Sequence, residues 1–118
     1  MKRVIIESPY AGEIGRNLLY VRECMRDSLM RGEAPFASHA LYTQEGILRD
    51  AVPEERSKGI EAGFAWRVPG VLTVFYVDLG WSNGMNAGKE DCEFKGLPFE
   101  ERRLYGLWSL WARLREKA

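Results

Sequence analysis

Histidine occurs once in this chain of 118 residues, as His39, and cysteine twice, as Cys24 and Cys92. A lone histidine and two well-separated thiols do not make metal-ligand spacing, so no metal and no disulfide are expected. The cysteines read instead as small core residues of helices. Excess charge of either sign is also missing, because 17 basic side chains balance 17 acidic ones. Such a chain has no global field to draw in nucleic acid or an anionic membrane. No apolar run approaches the roughly 18 to 20 residues of a membrane span. The opening Met1-Lys2-Arg3-Val4-Ile5-Ile6-Glu7 meets charge too soon for a signal peptide. A cytoplasmic protein without membrane contact is the expectation. No G-x-G-x-x-G follows the first apolar run and no G-x-x-x-x-G-K-[ST] occurs, so nicotinamide and ATP chemistry are unsupported and no cofactor is expected. Without repeat, low-complexity tract or linker, residues 1–118 read as one domain, large enough to bury a core.

What is present centres on Val71-Leu72-Thr73-Val74-Phe75-Tyr76-Val77-Asp78, followed by Leu79-Gly80-Trp81-Ser82-Asn83-Gly84. The run lacks polar alternation, so both of its faces are expected to be covered, as in a parallel sheet. Val4-Ile5-Ile6 reads as a first strand. Ile14, Leu18, Val21, Met25 and Leu29 recur at steps of three and four and predict a helix over about 13–31, stopped at Gly32. Ala34 to Ser38 is a weaker strand, with Pro35 suited to an edge, and His39 to Gln44 reads as loop. Pro53, Glu54 and Glu55 open a second helix that carries Ile60 and Phe64. A third runs from about Asn83 to Lys95 and stops at Gly96. Leu97 to Glu100 reads as a final edge strand. Leu104 to Ala118 carries Leu107, Trp108, Trp111 and Leu114 on one face and predicts a C-terminal helix. Its tryptophans cover either the chain's own core or a subunit interface. The alternation predicts a small α/β domain, a mainly parallel sheet of four or five strands flanked by helices, Rossmann- or flavodoxin-like.

Ligands of such sheets bind where strands end and helices begin. Three loops are expected to meet there: Glu7 to Asn17, Ser38 to Gln44, and Asp78 to Asn86. They offer the carboxylates Glu7 and Asp78, the hydroxyls of Ser8, Tyr10, Ser38 and Ser82, the amides of Asn17 and Asn83, and His39. Gly80 and Gly84 admit close backbone approach, and free N–H groups at a helix start attract phosphate or carboxylate. Each polar group also has a plainer role: Asp78 as a helix cap, Glu7 as a partner of loop backbone, His39 as a satisfied, partly buried imidazole.

Ser8-Pro9-Tyr10 with Asn17, then Ser82-x-Gly84-Met85-x-x-Gly88, then Gly96-x-Pro98, resembles the nucleoside 2-deoxyribosyltransferase-like superfamily. The resemblance implies a small oligomeric α/β protein, dimeric or tetrameric, with a nucleoside or nucleotide pocket. It implies a ligand site at Ser8, Pro9, Tyr10, Asn17, Ser38, His39, Asp78, Gly80, Ser82, Asn83, Gly84 and Met85. The enzymes of that superfamily cleave or transfer at the N-glycosidic bond through a glutamate four residues after the Ser-x-Gly glycine. Gly88 stands there in this chain. The implied function is therefore a non-catalytic nucleotide-binding protein, similar to small phage proteins that sequester signalling nucleotides, such as a cyclic dinucleotide or an ADP-ribose derivative, in the host cytoplasm. The alternatives are an N-glycosidase or deoxyribosyltransferase using Glu7 or Asp78 with Tyr10, and a structural or protein-binding module.

Overall fold

The computed structural model describes residues 1–104. Strand β1 (Lys2–Glu7) and strand β3 (Leu72–Tyr76) form the middle of a four-stranded sheet of order β2-β1-β3-β4, in which every pairing is parallel. Val4, Ile5 and Ile6 of β1 and Val74, Phe75 and Tyr76 of β3 are almost wholly buried. That is why neither run alternates: each has a covered face on both sides. Fully burying one such side chain contributes about 1.5 to 3 kcal/mol. Strands β2 (Glu33–Phe36) and β4 (Phe99–Arg102) are the short margins, where Pro35 and the chain just after Pro98 lose the fewest ladder bonds. The order β2-β1-β3-β4 is that of a flavodoxin-like sheet. The chain leaves β1 to one side and returns to the other, which opens a crevice at the C-terminal ends of β1 and β3.

Helix α1 (Ile14–Met30) buries Asn17, Tyr20, Val21, Cys24 and Ser28. This corrects the expected apolar face, since Ile14 is 42% and Leu29 50% exposed. The inward stripe is shifted because its polar members find partners. The Tyr20 hydroxyl donates to Asp78 Oδ2 at 2.6 Å and accepts from the Asp78 N–H at 3.0 Å. The Ser28 hydroxyl donates to Glu33 at 2.8 Å. Arg102 adds two 2.7 Å bonds to the Glu33 carboxylate and so ties the two margins of the sheet together. These charged hydrogen bonds hold Glu33 down at about 2.

A second correction concerns Ser38 to Gln44. Its first residues form a short helix, α2 (Ser38–Leu41), rather than loop. Helix α3 (Pro53–Ala65) begins with proline in its first turn and packs against α2. Helix α4 (Asn83–Lys95) opens with Ser82, whose Oγ accepts from the Met85 N–H at 3.2 Å, and closes at left-handed Gly96, φ 67°. Cys24 and Cys92 are both buried and free, as small core residues of α1 and α4. The C-terminal helix expected over 104–118, with Trp108 and Trp111, lies outside the described residues apart from Leu104, which is buried. Among the described residues no helix is long and apolar enough to cross a membrane.

Candidate functional site

The crevice predicted by the strand order is a cavity of about 400 Å³. β1 delivers its first wall. Glu7 is the last residue of the strand and Ser8 follows it, and both line the cavity. The turn beyond is held in shape by Asn17, whose side-chain amide donates to the carbonyl oxygens of Tyr10 at 2.8 Å and Ala11 at 3.1 Å. Tyr10, Ala11 and Gly12 are thereby presented to the cavity.

β2 delivers Ser38 and His39 through α2. The His39 Nε2 lies 2.7 Å from the Ser8 Oγ, joining the ends of two neighbouring strands. Burial pushes the imidazole down to about 4, so it is neutral at neutral pH. α3 closes over this pair. It approaches closely because residue 63 is glycine: a Cβ there would fall 2.6 Å from the Ser38 Oγ. The outer wall is one face of α3, Arg56, Gly59, Ile60 and Phe64, with Tyr42, Thr43 and Leu48 from the preceding segment. The Trp66 indole N–H donates to the Tyr42 hydroxyl at 2.9 Å, and Arg49 bonds Glu55 at 2.8 Å, which clamps the segment onto α3. β3 delivers the last wall, Ser82, Asn83 and Gly84 at the start of α4. The first backbone N–H groups of a helix have no carbonyl one turn back to bond, so this corner is a donor-rich, partly positive spot.

Beneath the cavity lies a buried ionic network. Arg67, with a side chain 1% exposed, bonds Glu7 and reaches Asp91 at 3.3 Å, and Lys95 joins Asp91 at 3.1 Å. The Arg67 guanidinium also stacks 4.7 Å from the Phe64 ring centroid, whereas its Nε has no partner among the described residues. Burial pushes the Glu7 carboxyl up to about 7, against the opposing pull of Arg67. Gly88 is what makes room for this network. A Cβ at 88 would fall 2.7 Å from Arg67 Nη2 and 3.4 Å from the Glu7 carboxyl carbon.

Of the residues anticipated as ligand-binding, Ser8, Tyr10, Ser38, His39, Ser82, Asn83 and Gly84 do converge on one cavity, as does Glu7. The other five do not line it. Asn17 is 1% exposed and works on loop carbonyls. Asp78 is an anchor rather than a pocket acid, because its carboxylate accepts from the Tyr20 hydroxyl and from the Leu104 N–H at 2.9 Å. Met85 is buried with Phe75 and Val77 in the core. Pro9 is buried beside the pocket turn, and Gly80, φ 83°, serves the turn after β3. The α3 wall is what sequence reasoning missed. Its signal was there, as Arg56, Gly59, Ile60, Gly63 and Phe64 share steps of three and four, with glycines where another element comes close.

The hydroxyls, the neutral imidazole and the carboxyl sit at the floor, aromatic and aliphatic groups line the α3 side, and N–H donors stand at the α4 corner. Such a cavity can hold a flat apolar group, hydroxyls and one anionic group together. Among the described residues no cluster of His, Cys, Asp and Glu is arranged to hold a metal ion. No curated protein and no solved structure matches the chain. A family profile described as a domain of unknown function does match residues 2–102, spanning all eight described elements from β1 to β4, and the chain belongs to that family, DUF7768.

Proposed function

We propose that this domain binds a nucleotide in the cavity at the ends of β1 and β3 and holds it without cleaving its glycosidic bond. The observation that carries this reading is the closure of position 88. The cavity is otherwise furnished for a nucleoside, yet the helix position that would supply a nucleophilic carboxylate is a glycine packed against Arg67 Nη2. The covalent route through α4 has no nucleophile there. Volume and charge narrow the ligand. At about 400 Å³ the cavity is near the small end of the roughly 300 to 1,000 Å³ of small-molecule sites. Arg56 is the one cation among its described lining residues, beside the acids Glu7, Asp50 and Glu55. A single nucleotide unit suits this balance better than a cyclic dinucleotide with two phosphates. Binding without turnover is sequestration, the role that the resemblance to small phage proteins implies.

A second reading is favoured by one observation, the place of Glu7. Its carboxyl carbon lies 3.4 Å from where a Cβ of residue 88 would stand, so an N-glycosidase could draw its carboxylate from β1 instead of α4. One experiment separates the readings. Purified protein is incubated with nucleosides, mononucleotides and cyclic signalling nucleotides, then heat-denatured, and the supernatant is chromatographed. Depletion of one compound at near-stoichiometric protein, with intact recovery, is the expected result. Free base over many turnovers would replace it with the glycosidase, and no depletion and no base would end both.

A further inference from the structure

We propose that Glu7, Ser8 and His39 form a subsite for a vicinal diol, so that the ligand carries free 2′- and 3′-hydroxyls on a ribose rather than a 2-deoxyribose. The inference rests on the nucleotide reading above and specifies its sugar.

The hydrogen-bond inventory of the floor leads to this group. Ser8 Oγ and His39 Nε2 lie 2.7 Å apart, and a neutral imidazole can give or take that proton. If serine donates, its oxygen is left to accept and Nδ1–H to donate. If Nε2–H donates, the serine O–H is left to donate and Nδ1 to accept. Either way the pair presents both a donor and an acceptor. A hydroxyl, itself donor and acceptor, satisfies both tautomers, whereas an ionised phosphate can only accept. Glu7 selects further. Its Oε1 is engaged by Arg67, and a carboxylate has acceptor capacity beyond one such bond. With its carboxyl raised to about 7, Glu7 is partly ionised at neutral pH: the ionised form repels a phosphate, and either form hydrogen-bonds a hydroxyl.

The spacing along α4 supplies the other half. The carboxyl carbon of Glu7 is 3.4 Å from where a Cβ of Gly88 would stand. Gly84, which lines the same cavity, is four residues, about one turn, nearer the N-terminus, about 6 Å along the axis. The N–H groups of Asn83 and Gly84 stand in the first turn of α4, with no carbonyl one turn back to bond, and such groups attract an anion. A hydroxyl-reading floor and an anion-reading corner separated by one turn match one sugar ring with its phosphate arm. The apolar α3 wall with Ile60 and Phe64 is left for the base.

Titration calorimetry on the full chain with the four ribonucleoside 5′-monophosphates, and with their 2′-deoxy counterparts, tests the subsite. The best ribonucleotide is expected to bind at least about tenfold more tightly than its 2′-deoxy form, the effect of one lost charge-assisted hydrogen bond. Ser8→Ala is expected to bring that ratio towards one, and its urea unfolding midpoint shows whether the fold is kept. Deoxy forms bound within twofold of the ribo forms overturn the diol subsite and leave the nucleotide reading standing. Binding of neither series overturns both.

Discussion

Gly88→Ala is a small change with a calculable conflict. Alanine relieves the conformational cost of glycine in a helix, a gain of up to about 1 kcal/mol. Its Cβ, however, would sit 2.7 Å from Arg67 Nη2. A guanidinium free in solvent would swing away at little cost. This one is 1% exposed and fixed between Glu7 and Asp91, so moving it strains two ion pairs in a closed space. Overpacking of this kind costs about 1 to 3 kcal/mol, which, set against that gain, leaves Gly88→Ala less stable than the parent by up to about 2 kcal/mol. Gly15→Ala is the matched control, because that glycine of α1 has nothing within 4 Å of a built Cβ. It should be neutral or stabilising by up to about 1 kcal/mol. Urea denaturation of both variants under one buffer condition reads the difference directly. Gly88→Ala as stable as Gly15→Ala would refute the packing argument, and with it the claim that position 88 is closed to a side chain.

Asn17→Ala removes the donors that hold the carbonyls of Tyr10 and Ala11 and should cost about 1 to 3 kcal/mol; unchanged stability would show that the turn does not depend on it. Arg67→Met strips Glu7 of its buried cation and leaves Asp91 with Lys95 alone, and is expected to cost about 3 to 5 kcal/mol, measured by urea unfolding at pH 7; a loss under 1 kcal/mol would contradict it. Glu33 has its folded value lowered from 4.5 to about 2, so its stabilisation is complete above the unfolded value and is lost as pH falls from about 4.5 to about 2. Glu33→Gln should flatten this limb of an acid-unfolding curve followed by circular dichroism, and superimposable curves would refute the assignment. Ser82→Ala deletes the cap on the Met85 N–H and should cost about 1 kcal/mol, with no loss in a thermal melt as the contrary result.

The strands, the parallel sheet and the ends of α1, α3 and α4 were legible because each is written locally. Val71 to Val77 has no polar alternation, Pro53 opens a helix, and Gly32 and Gly96 close two others. The inward face of α1 was not. Hydropathy favours Ile14 and Leu29, while the fold buries Asn17 and Ser28, whose polar atoms are satisfied outside the helix, by the carbonyls of Tyr10 and Ala11 and by the Glu33 carboxylate of β2. Half of the cavity was visible for a similar reason. Loops that follow strands announce themselves through serine, glycine and asparagine. The α3 wall looks like any amphipathic helix until its glycines are matched to Ser38 and Leu48. Asp78 misled because a carboxylate at a strand end reads as reactive, and only the meeting of Tyr20, Asp78 and Leu104 shows it spent on the fold.

Pro35 has a consequence for the crowded setting in which any small sheet protein must survive. It sits in the outer strand β2, opposite Val4 of β1, and proline has no amide hydrogen. A strand arriving from another molecule would meet a row of peptide groups broken at its third residue, within a margin only four residues long. Cross-molecular strand pairing needs an uninterrupted row to outweigh the freedom it costs. The interruption makes this flank of the domain a poor template for fibril growth, and replacing Pro35 by a β-branched residue would restore the missing rung.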